Sequence, residues 1–400
     1  MVLFEVGLLA TLFVAYNVGG ATTGPAFGPA IGASVISKVT AAALMSVSFF
    51  IGAWTVGRRV VETLGRDLLT DPTIFTLESS IGVLAFIGGA LLLGNVVGAP
   101  SSTSMTAVGA IAGLGLATGS LDWAVVGEIV SWWIVAPIVG FWVSAVVGRY
   151  LYPRIDRAIA IEHSGGALLV IDRSGLVPRP TTGPGTTHRE VLGAGVVVGI
   201  GCLMAFSSGT SNIANAIAPL VGSGELGMNT GIIIGCAAVA VGAFTIARRT
   251  LETIGNDITE LPLTAAIVVA MVSSTIVIAL SAAGVPASFV VVATMSVVGL
   301  GWGRATRTVT FGDAVEGAET PQLTTGALGA DDAPTVGDPS RGADEGTHPE
   351  PIGTESAGDL PDTAELFRPA TTARVLGMQN VVPLIATVGS FLLFALLAVL

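Results

Sequence analysis

The sequence predicts an all-α polytopic membrane protein, and two observations carry that prediction. The 400 residues have a mean hydropathy of +0.80 and include only 11% charged residues. A soluble chain of this size carries about 25% charged residues. The apolar runs are also continuous, whereas the strands of a membrane barrel alternate in character. At roughly 20 residues per span, we expect about 10–12 membrane segments.

Apolar segments follow one another along most of the chain. They cover 2–20, 22–36, 40–57, 77–98, 102–119, 122–148, 191–208, 211–222, 227–247, 262–284, 286–303 and 374–400. Two of them, 22–36 and 211–222, are too short and too rich in Gly, Pro and polar residues to span alone. We expect them to be re-entrant or broken helices, which membrane proteins tolerate only inside the protein or beside a cavity.

The two halves of the chain repeat each other. The stretch VGRRVVETLGRDLLT (56–70) matches IARRTLETIGNDITE (246–260) at an offset of 190, and FGPAIG (27–32) matches IAPLVG (217–222) at the same offset. Pro100 and Pro286 match at an offset of 186. Such a duplication is a known signature of membrane transporters.

Each repeat contains an odd number of full spans, so the second copy must insert upside down. Of the 17 Lys and Arg residues, 14 fall on one membrane face and three, Arg58, Arg59 and Arg66, on the other. The positive-inside rule makes the richer face cytoplasmic, with both termini outside the cell membrane. Inverted-topology repeats of this kind are typical of secondary transporters.

These features divide the chain into five segments. We expect a first transmembrane repeat at 1–148, a cytoplasmic linker at 149–190, a second repeat at 191–303, a cytoplasmic loop at 304–373 and a final helix at 374–400. Within the loop, 308–370 holds 13 acidic residues against two Arg and almost no large apolar residues. Such a segment cannot bury enough surface to fold alone, so we expect it to be disordered.

Three motifs together resemble the inorganic phosphate transporter (PiT) family. AFSSGTSNIANAIAPLVG (205–222) is similar to its G-A-N-D-x-A-N-A-x-G-P signature, and RRTLETIGNDITEL to its R-R-x-x-x-T-I-G-x-x-I-T stretch. GAPSSTSMTAVGAIAG (98–113) is similar to its G-L-P-x-S-T-T-H-x-x-x-G-A motif. The resemblance implies a sodium- or proton-coupled phosphate symporter, with a branch assigned to sulfate and the anion held near the repeat interface.

The chain departs from this family where the signature carries its carboxylates. Ser211-Asn212 replaces the Asn-Asp pair in the second half, and Thr22 stands at the Asp position in the first half. The resemblance implies a cation-binding role for those Asp residues. We therefore expect anion binding to persist more readily than sodium coupling.

Hydroxyl and amide side chains are the candidate substrate ligands. Ser102, Thr103 and Ser104 open a predicted helix, where free N–H groups and hydroxyls suit a tetrahedral oxyanion, although Ser102 would also serve as a simple cap. The other candidates are Ser211, Asn212 and Asn215, in a polar stretch that would alternatively join helices, and Thr22 and Thr23 as their first-half counterparts.

Charged pairs recur at one place in each repeat. Glu62 follows Arg58 and Arg59, and Glu252 follows Arg248 and Arg249, at helical spacing. Local ion pairing at the membrane edge is one interpretation. Gating salt bridges or an anion funnel are the other.

Other classes of protein fit the sequence less well. The three His residues lie in predicted loops, no H-E-x-x-H motif occurs, and Lys38 ends no nucleotide-binding loop, so we expect neither an enzyme nor a metal site. An anion channel, or a relative that binds an anion without moving it, stays an alternative.

The sequence therefore predicts a permease that carries inorganic phosphate by alternating access, with sulfate or another oxyanion as the alternative. We expect no cofactor apart from a transported Na⁺ or H⁺. The expected partners are the oxyanion and membrane lipid, with no nucleic acid, and a homodimer is compatible with the sequence.

Overall fold

The computed structural model describes residues 2–32, 35–97, 102–159, 169–172, 179–182, 188–257, 263–308 and 369–399. Twelve helices and two short strands lie in these ranges. The helices are α1 Val2–Gly32, α2 Lys38–Thr55, α3 Gly57–Glu62, α4 Leu77–Val97, α5 Thr103–Thr118, α6 Trp123–Val146, α7 Tyr152–Ile159, α8 His188–Gly222, α9 Met228–Asp257, α10 Leu263–Ala282, α11 Phe289–Thr308 and α12 Pro369–Val399.

The predicted fold class is confirmed. Eight of the described helices are long and apolar enough to cross a membrane, and α5 and α11 are shorter apolar helices. Single π-helical turns extend α3 over Thr63–Asp67 and α6 over Val147–Leu151. The soluble linker carries one small antiparallel hairpin, in which β1 (Leu169–Asp172) pairs with β2 (Arg179–Thr182).

The predicted breaks at 22–36 and 211–222 are wrong in position. Residues 22–32 continue α1 through Pro25 and Pro29, and residues 211–222 continue α8 through Pro219. In hydrocarbon an unpaired backbone group is costly, so a helix persists through Pro unless other groups pair the backbone. The described helices stop instead between α4 and α5, where Ser102 caps the start of α5, and between α10 and α11, where the chain contains Pro286.

The contacts between long helices are duplicated along with the sequence. A Cβ on Gly19 of α1 would collide with the Val239 carbonyl of α9, and one on Gly209 of α8 would collide with the Phe49 carbonyl of α2. The two glycines are 190 residues apart, and so are Phe49 and Val239, which supply the two carbonyls. Gly52 against Phe206 and Gly242 against Tyr16 repeat the same relation. The two repeats therefore pack as one pseudo-twofold unit, in which small residues let the helices approach closely.

The hairpin of α4 and α5 opens on the membrane face where α6 begins, called here the first face. After α3 the chain pairs with the segment that follows α5, through Leu69 with Leu121 and through Thr70 N–H donating to Ser120 O at 2.7 Å. Ser80, near the start of α4, donates to the Pro219 carbonyl near the end of α8. The start of α4 and the end of α5 therefore both lie at the first face.

The hairpin of α10 and α11 opens on the opposite, second face, where α6 ends. Tyr152, just after α6, packs with Ala265 near the start of α10 and with Leu300 near the end of α11. The Leu300 carbonyl leaves no room for a Cβ on Gly148, which lies in the π-helical turn that follows α6. The two hairpins thus enter from opposite faces, as inverted repeats require.

The tips of the two hairpins meet near the middle of the bundle. Trp133, ten positions into α6, donates from Nε1 to the Pro286 carbonyl at 2.8 Å. Ten residues of helix measure about 15 Å, half of a hydrocarbon core about 30 Å thick. Ser104 at the first tip donates to the Ala287 carbonyl at the second tip, 3.1 Å away. The tips therefore meet about 15 Å along α6 from its start.

Some of the sequence predictions lie outside the described residues. The 13 acidic residues of the loop all lie within 309–368, so the expected disorder of the acidic segment is not addressed by the structure. The division into five segments and the placement of the termini also stay predictions. Cys202 lies in α8 and Cys236 in α9, and both are free.

We predict the sidedness of the two faces from the charge bias. In a chain whose two cysteines are replaced by alanine, Thr73→Cys on the first face should react with an impermeant thiol reagent added outside cells. Arg154→Cys on the second face should react only after the membrane is opened, and both positions are exposed in the fold. Labelling of both cysteines from the same side would contradict the inverted arrangement.

Candidate functional site

The start of α5 supplies the first half of the candidate site. Ser102 is the N-cap, and its hydroxyl accepts from the Met105 N–H at 3.2 Å, as the simple capping interpretation predicts. The next two hydroxyls do not bond back to their own helix. Thr103 donates to Asn212 Oδ1 at 2.9 Å, and Ser104 lies 3.2 Å from the Ser211 hydroxyl. The α5 tip is therefore joined to the polar stretch of α8.

The middle of α8 supplies the second half. Asn212 and Asn215 share one face of the helix, with Asn215 Nδ2 donating to Asn212 Oδ1 at 3.4 Å, as their spacing predicts. Asn212 Nδ2 donates to the Ser208 hydroxyl at 2.8 Å. The side chains of Ser211 and Asn215 are buried. The helix thus presents amides and hydroxyls to the hairpin tip rather than to lipid.

The backbone of the second tip completes the cluster. The Ala287 carbonyl accepts from Ser211 at 2.8 Å and from Ser104, and the Ala287 N–H donates to the Ser211 hydroxyl at 3.3 Å. Two elements of the second repeat and one of the first therefore converge on one point. We call Thr103, Ser104, Ser208, Ser211, Asn212, Asn215 and the Ala287 backbone the polar cluster.

Helix ends give the polar cluster a positive potential without a charged side chain. The N-termini of α5 and α11 both lie at the hairpin tips, and free N–H groups at a helix start attract anions. No acidic or basic side chain takes part in the hydrogen bonds given for the cluster. The cluster is a set of neutral donors and acceptors enclosed by protein.

One acceptor in the cluster has no partner. Asn215 is fully buried, and its Oδ1 accepts no hydrogen bond from any of the described residues, while Ser104 and Thr103 both donate toward Asn212 Oδ1. A buried carbonyl oxygen without a donor is costly. A ligand that carries a proton or a positive charge would satisfy it.

Other predicted site residues have different roles in the fold. Thr22 and Thr23 donate to the Val18 and Gly19 carbonyls of their own helix, both at 2.8 Å. The contacts given for them do not reach the polar cluster. Ser207 donates to the Ser274 carbonyl, and Thr210 to the Ser281 hydroxyl of α10, so these two join helices as the alternative interpretation predicts.

The charged motif of the first repeat does not form the expected ion pair. Among the described residues, neither Arg58 nor Arg59 is paired with Glu62. Arg58 stacks over the Trp54 ring at 4.4 Å and donates to Asn229 Oδ1 at 2.7 Å, whereas Arg59 donates to the Ala282 carbonyl. The side chains of Arg248, Arg249 and Glu252 lie outside the described residues.

Two groups that contribute to the site and its surroundings were not predicted from the sequence. The Ala287 carbonyl carries no sequence signal, because any residue offers the same backbone oxygen. Trp133 lies in an apolar span where the sequence favours packing, and only its donor to Pro286 distinguishes it from its neighbours. Within the described ranges, no three His, Cys, Asp or Glu side chains come together as a metal site would need.

Comparisons with known proteins agree with this architecture. The sulfate permease CysP of Bacillus subtilis is 30% identical over 298 residues, which cover 74% of this chain and 77% of the permease. A protein of Thermococcus kodakarensis with the provisional name of phosphate permease is 24% identical and covers 77% of this chain and 92% of its own.

A solved structure and a family profile extend the match to the whole fold. The structure of a sodium-dependent phosphate transporter superposes with a TM-score of 0.65 over 100% of both chains, at 16% sequence identity. At that identity the likeness concerns the fold. The profile of the Phosphate transporter family matches residues 18–317, which include both hairpins and the whole polar cluster. The chain therefore belongs to the phosphate transporter family.

Proposed function

We propose that the chain is a secondary permease for a tetrahedral inorganic oxyanion, with phosphate as the first candidate. The observation that carries the proposal is the position of the polar cluster. It lies where two hairpin tips from opposite membrane faces meet, beside the N-terminus of α5. Donors concentrated there would replace the water that a phosphate anion loses on entering the protein.

The number and kind of donors fit an oxyanion. Stripping water from an anion is expensive unless hydrogen bonds replace the hydration shell. The hydroxyls of Thr103, Ser104 and Ser211 and the amide groups of Asn212 and Asn215 can each turn from their present partners toward a bound oxyanion. Each bond to a charged group contributes roughly 1.5–3 kcal/mol. The Asn215 oxygen that lacks a partner would accept a hydrogen bond from the P–OH group of a protonated phosphate anion.

The inverted repeats supply a route for alternating access. Each hairpin opens on its own membrane face, and the polar cluster contains side chains from both repeats. A rocking motion of one repeat against the other would separate a single tip from the cluster at a time. The site would then open first to one face and then to the other. A channel would instead need a path open to both faces at once.

Sulfate is the second candidate, and a specific observation favours it. The hydrogen bonds given for the polar cluster include no carboxylate, which is the group best suited to accept a proton from phosphate. Sulfate has no proton to donate at neutral pH, so it needs hydrogen-bond donors and no carboxylate, and the hydroxyls and amides of the cluster supply such donors. The 30% identity to a sulfate permease points the same way. Phosphate and sulfate would accept hydrogen bonds from the same donors of the cluster, and they differ in whether the anion carries a proton.

Uptake into proteoliposomes tests this assignment. We expect saturable uptake of labelled phosphate that excess unlabelled phosphate suppresses, with imposed sodium and pH gradients identifying the coupling ion. Faster uptake of labelled sulfate, with phosphate as the weaker competitor, would select the second candidate. Uptake that never saturates as the anion concentration rises would favour a channel instead.

Substitutions in the polar cluster should weaken anion affinity unequally. Thr103→Val and Asn212→Leu each remove a donor, so the apparent affinity should fall by about one to two orders of magnitude. Ser288→Ala is the matched control at the second tip, where the hydroxyl only accepts a 3.5 Å bond from the Val291 N–H. Its effect on affinity should be much smaller. Equal small effects at all three positions would contradict the divided site.

Restoring the missing carboxylate should restore cation dependence. Asn212→Asp places a negative charge within reach of Thr103 and Ser104, where the family resemblance implies an Asp. A cation or proton would then be needed to balance the charge before the anion binds. Transport by this variant should depend more steeply on sodium or pH than transport by the parent, measured in the same vesicles. Unchanged dependence would show that residue 212 does not govern coupling.

A further inference from the structure

The repeated R-R-x-x-E-T motif brings an arginine to the depth of the polar cluster. A Cβ on Gly57 of α3 would lie 3.1 Å from the Gly209 carbonyl and 3.0 Å from the Ile213 side chain of α8. Those two residues bracket Ser211 and Asn212. Arg59 follows two positions later on α3, before the helix reaches the first face near Gly222.

The environment of Arg59 is unusual for a charge at this depth. Its side chain is exposed, and no carboxylate among the described residues neutralises it. An arginine that faced hydrocarbon there would be expensive, so the exposed surface of Arg59 has to face water rather than lipid, and the space beside it is called here the cleft. A guanidinium carries five N–H donors, and the described contacts use one nitrogen. Most of its hydrogen-bonding capacity therefore faces the cleft.

Among the residues that the structure describes, the side chain of Arg59 donates to one group, a backbone carbonyl at the end of α10. The last carbonyls of a helix lack partners within that helix. Those of Ala279, Leu280 and Ser281 accept from backbone N–H groups of the turn that follows, at 2.9–3.1 Å. The Ala282 carbonyl accepts from Arg59 instead. The guanidinium also suits the negative end of the α10 dipole.

This contact attaches one end of the second hairpin tip. Residues 283–288 form the tip, and Gly284 has a φ of +81°, which few residues other than Gly adopt. A Cβ there would lie 2.9 Å from the Thr63 hydroxyl of the same charged motif. The other end is attached through the Ala287 carbonyl to Ser104 and Ser211. The tip is thus held by Arg59 at one end and by the polar cluster at the other.

We propose that Arg59 recruits the incoming oxyanion and that this recruitment releases the second hairpin tip. The inference rests on the proposed transport of an oxyanion. A guanidinium binds an oxyanion by paired, charge-assisted hydrogen bonds, which are stronger than a bond to a neutral carbonyl. An anion in the cleft therefore draws Arg59 away from Ala282. The tip then loses its attachment at that end and is free to move as the anion reaches the cluster.

Arg58 provides a matched control on the same helix. Its guanidinium donates to the Trp54 carbonyl and to Asn229, and it covers the Trp54 ring. These contacts tie α2 and α3 to the start of α9, away from the tip. Replacing either arginine by glutamine changes the net charge equally, but only replacement of Arg59 removes the contact with Ala282.

Tip exposure and anion affinity test the proposal together. In a chain whose native cysteines are replaced by alanine, Val285→Cys, at a tip position that is 3% exposed, reports on release of the tip by its rate of reaction with a maleimide in detergent. The parent should react faster in saturating phosphate or sulfate than in chloride of equal ionic strength. Adding Arg59→Gln should give a fast rate that no longer responds to the anion, whereas adding Arg58→Gln should preserve the response. Arg59→Lys should react fast but keep some recruitment of the anion.

Transport kinetics supply the second readout. In proteoliposomes, Arg59→Gln should raise the apparent KM for the transported anion about tenfold or more, Arg59→Lys less, and Arg58→Gln little. If the parent transports but its labelling ignores both anions, or if Arg59→Gln behaves like Arg58→Gln, the role of Arg59 is refuted and the permease stands. If the parent moves neither anion, the proposed function falls and the role of Arg59 falls with it. If Arg59→Gln does not insert into the membrane, the proposal is tested by the labelling rates and the apparent KM of the parent and of Arg59→Lys.

Discussion

The structure depends on satisfying backbone groups where helices stop inside the membrane. The second hairpin turns inside the bundle, where an unpaired N–H or C=O has no water to bind. Side chains from other elements take that role at the second tip. Arg59 donates to Ala282, Trp133 to Pro286, and Ser104 and Ser211 to Ala287. Because these donors come from both repeats, the requirement to pair one tip also holds the repeats together.

The same requirement explains why the candidate site lies at this position. Donors that satisfy a helix end in the absence of a ligand are also donors that an anion can take over. Thr103 and Ser104 illustrate the exchange, since their hydroxyls now bond to Asn212, Ser211 and Ala287 rather than to their own helix. A bound oxyanion would accept these hydrogen bonds in place of protein oxygens. Binding and tip release would then be two outcomes of one competition for donors.

The sequence predicts the duplicated architecture better than the individual contacts at the site. The repeat offset of 190 predicts that the glycine contacts occur in pairs. In the sequence, Pro100 stands between α4 and α5, and Pro286 stands between α10 and α11. The capping role of Ser102 and the shared face of Asn212 and Asn215 also follow from local rules. These features depend on neighbours in the chain or on the duplication, and both are readable from one sequence.

The sequence predictions fail where a residue far away in the chain determines the local structure or supplies the hydrogen-bond partner. The Pro- and Gly-rich stretches of α1 and α8 resemble breaks, yet the helices continue because only hydrocarbon or other helices surround them. The pairing expected between Arg59 and Glu62 is locally reasonable, but the free carbonyl at the end of α10 comes from a residue 223 positions away. Trp133 likewise finds its acceptor 153 positions away. Such contacts follow from the packing of the hairpins rather than from local pattern.

The divergence of the two repeats has an energetic consequence for the site. In a symmetric pair each tip would offer the same hydroxyls, but the second tip continues into Phe289, Val290 and Val291 where the first has Thr103, Ser104 and Met105. The second repeat instead contributes α8 and the Ala287 backbone. Because each repeat supplies what the other lacks, separating them divides the polar cluster and leaves neither half with a full set of donors. An anion that takes over these donors would loosen the contact between the repeats, so it would bind their joined and separated arrangements with different affinity. That difference in affinity between states is what a conformational cycle of transport requires.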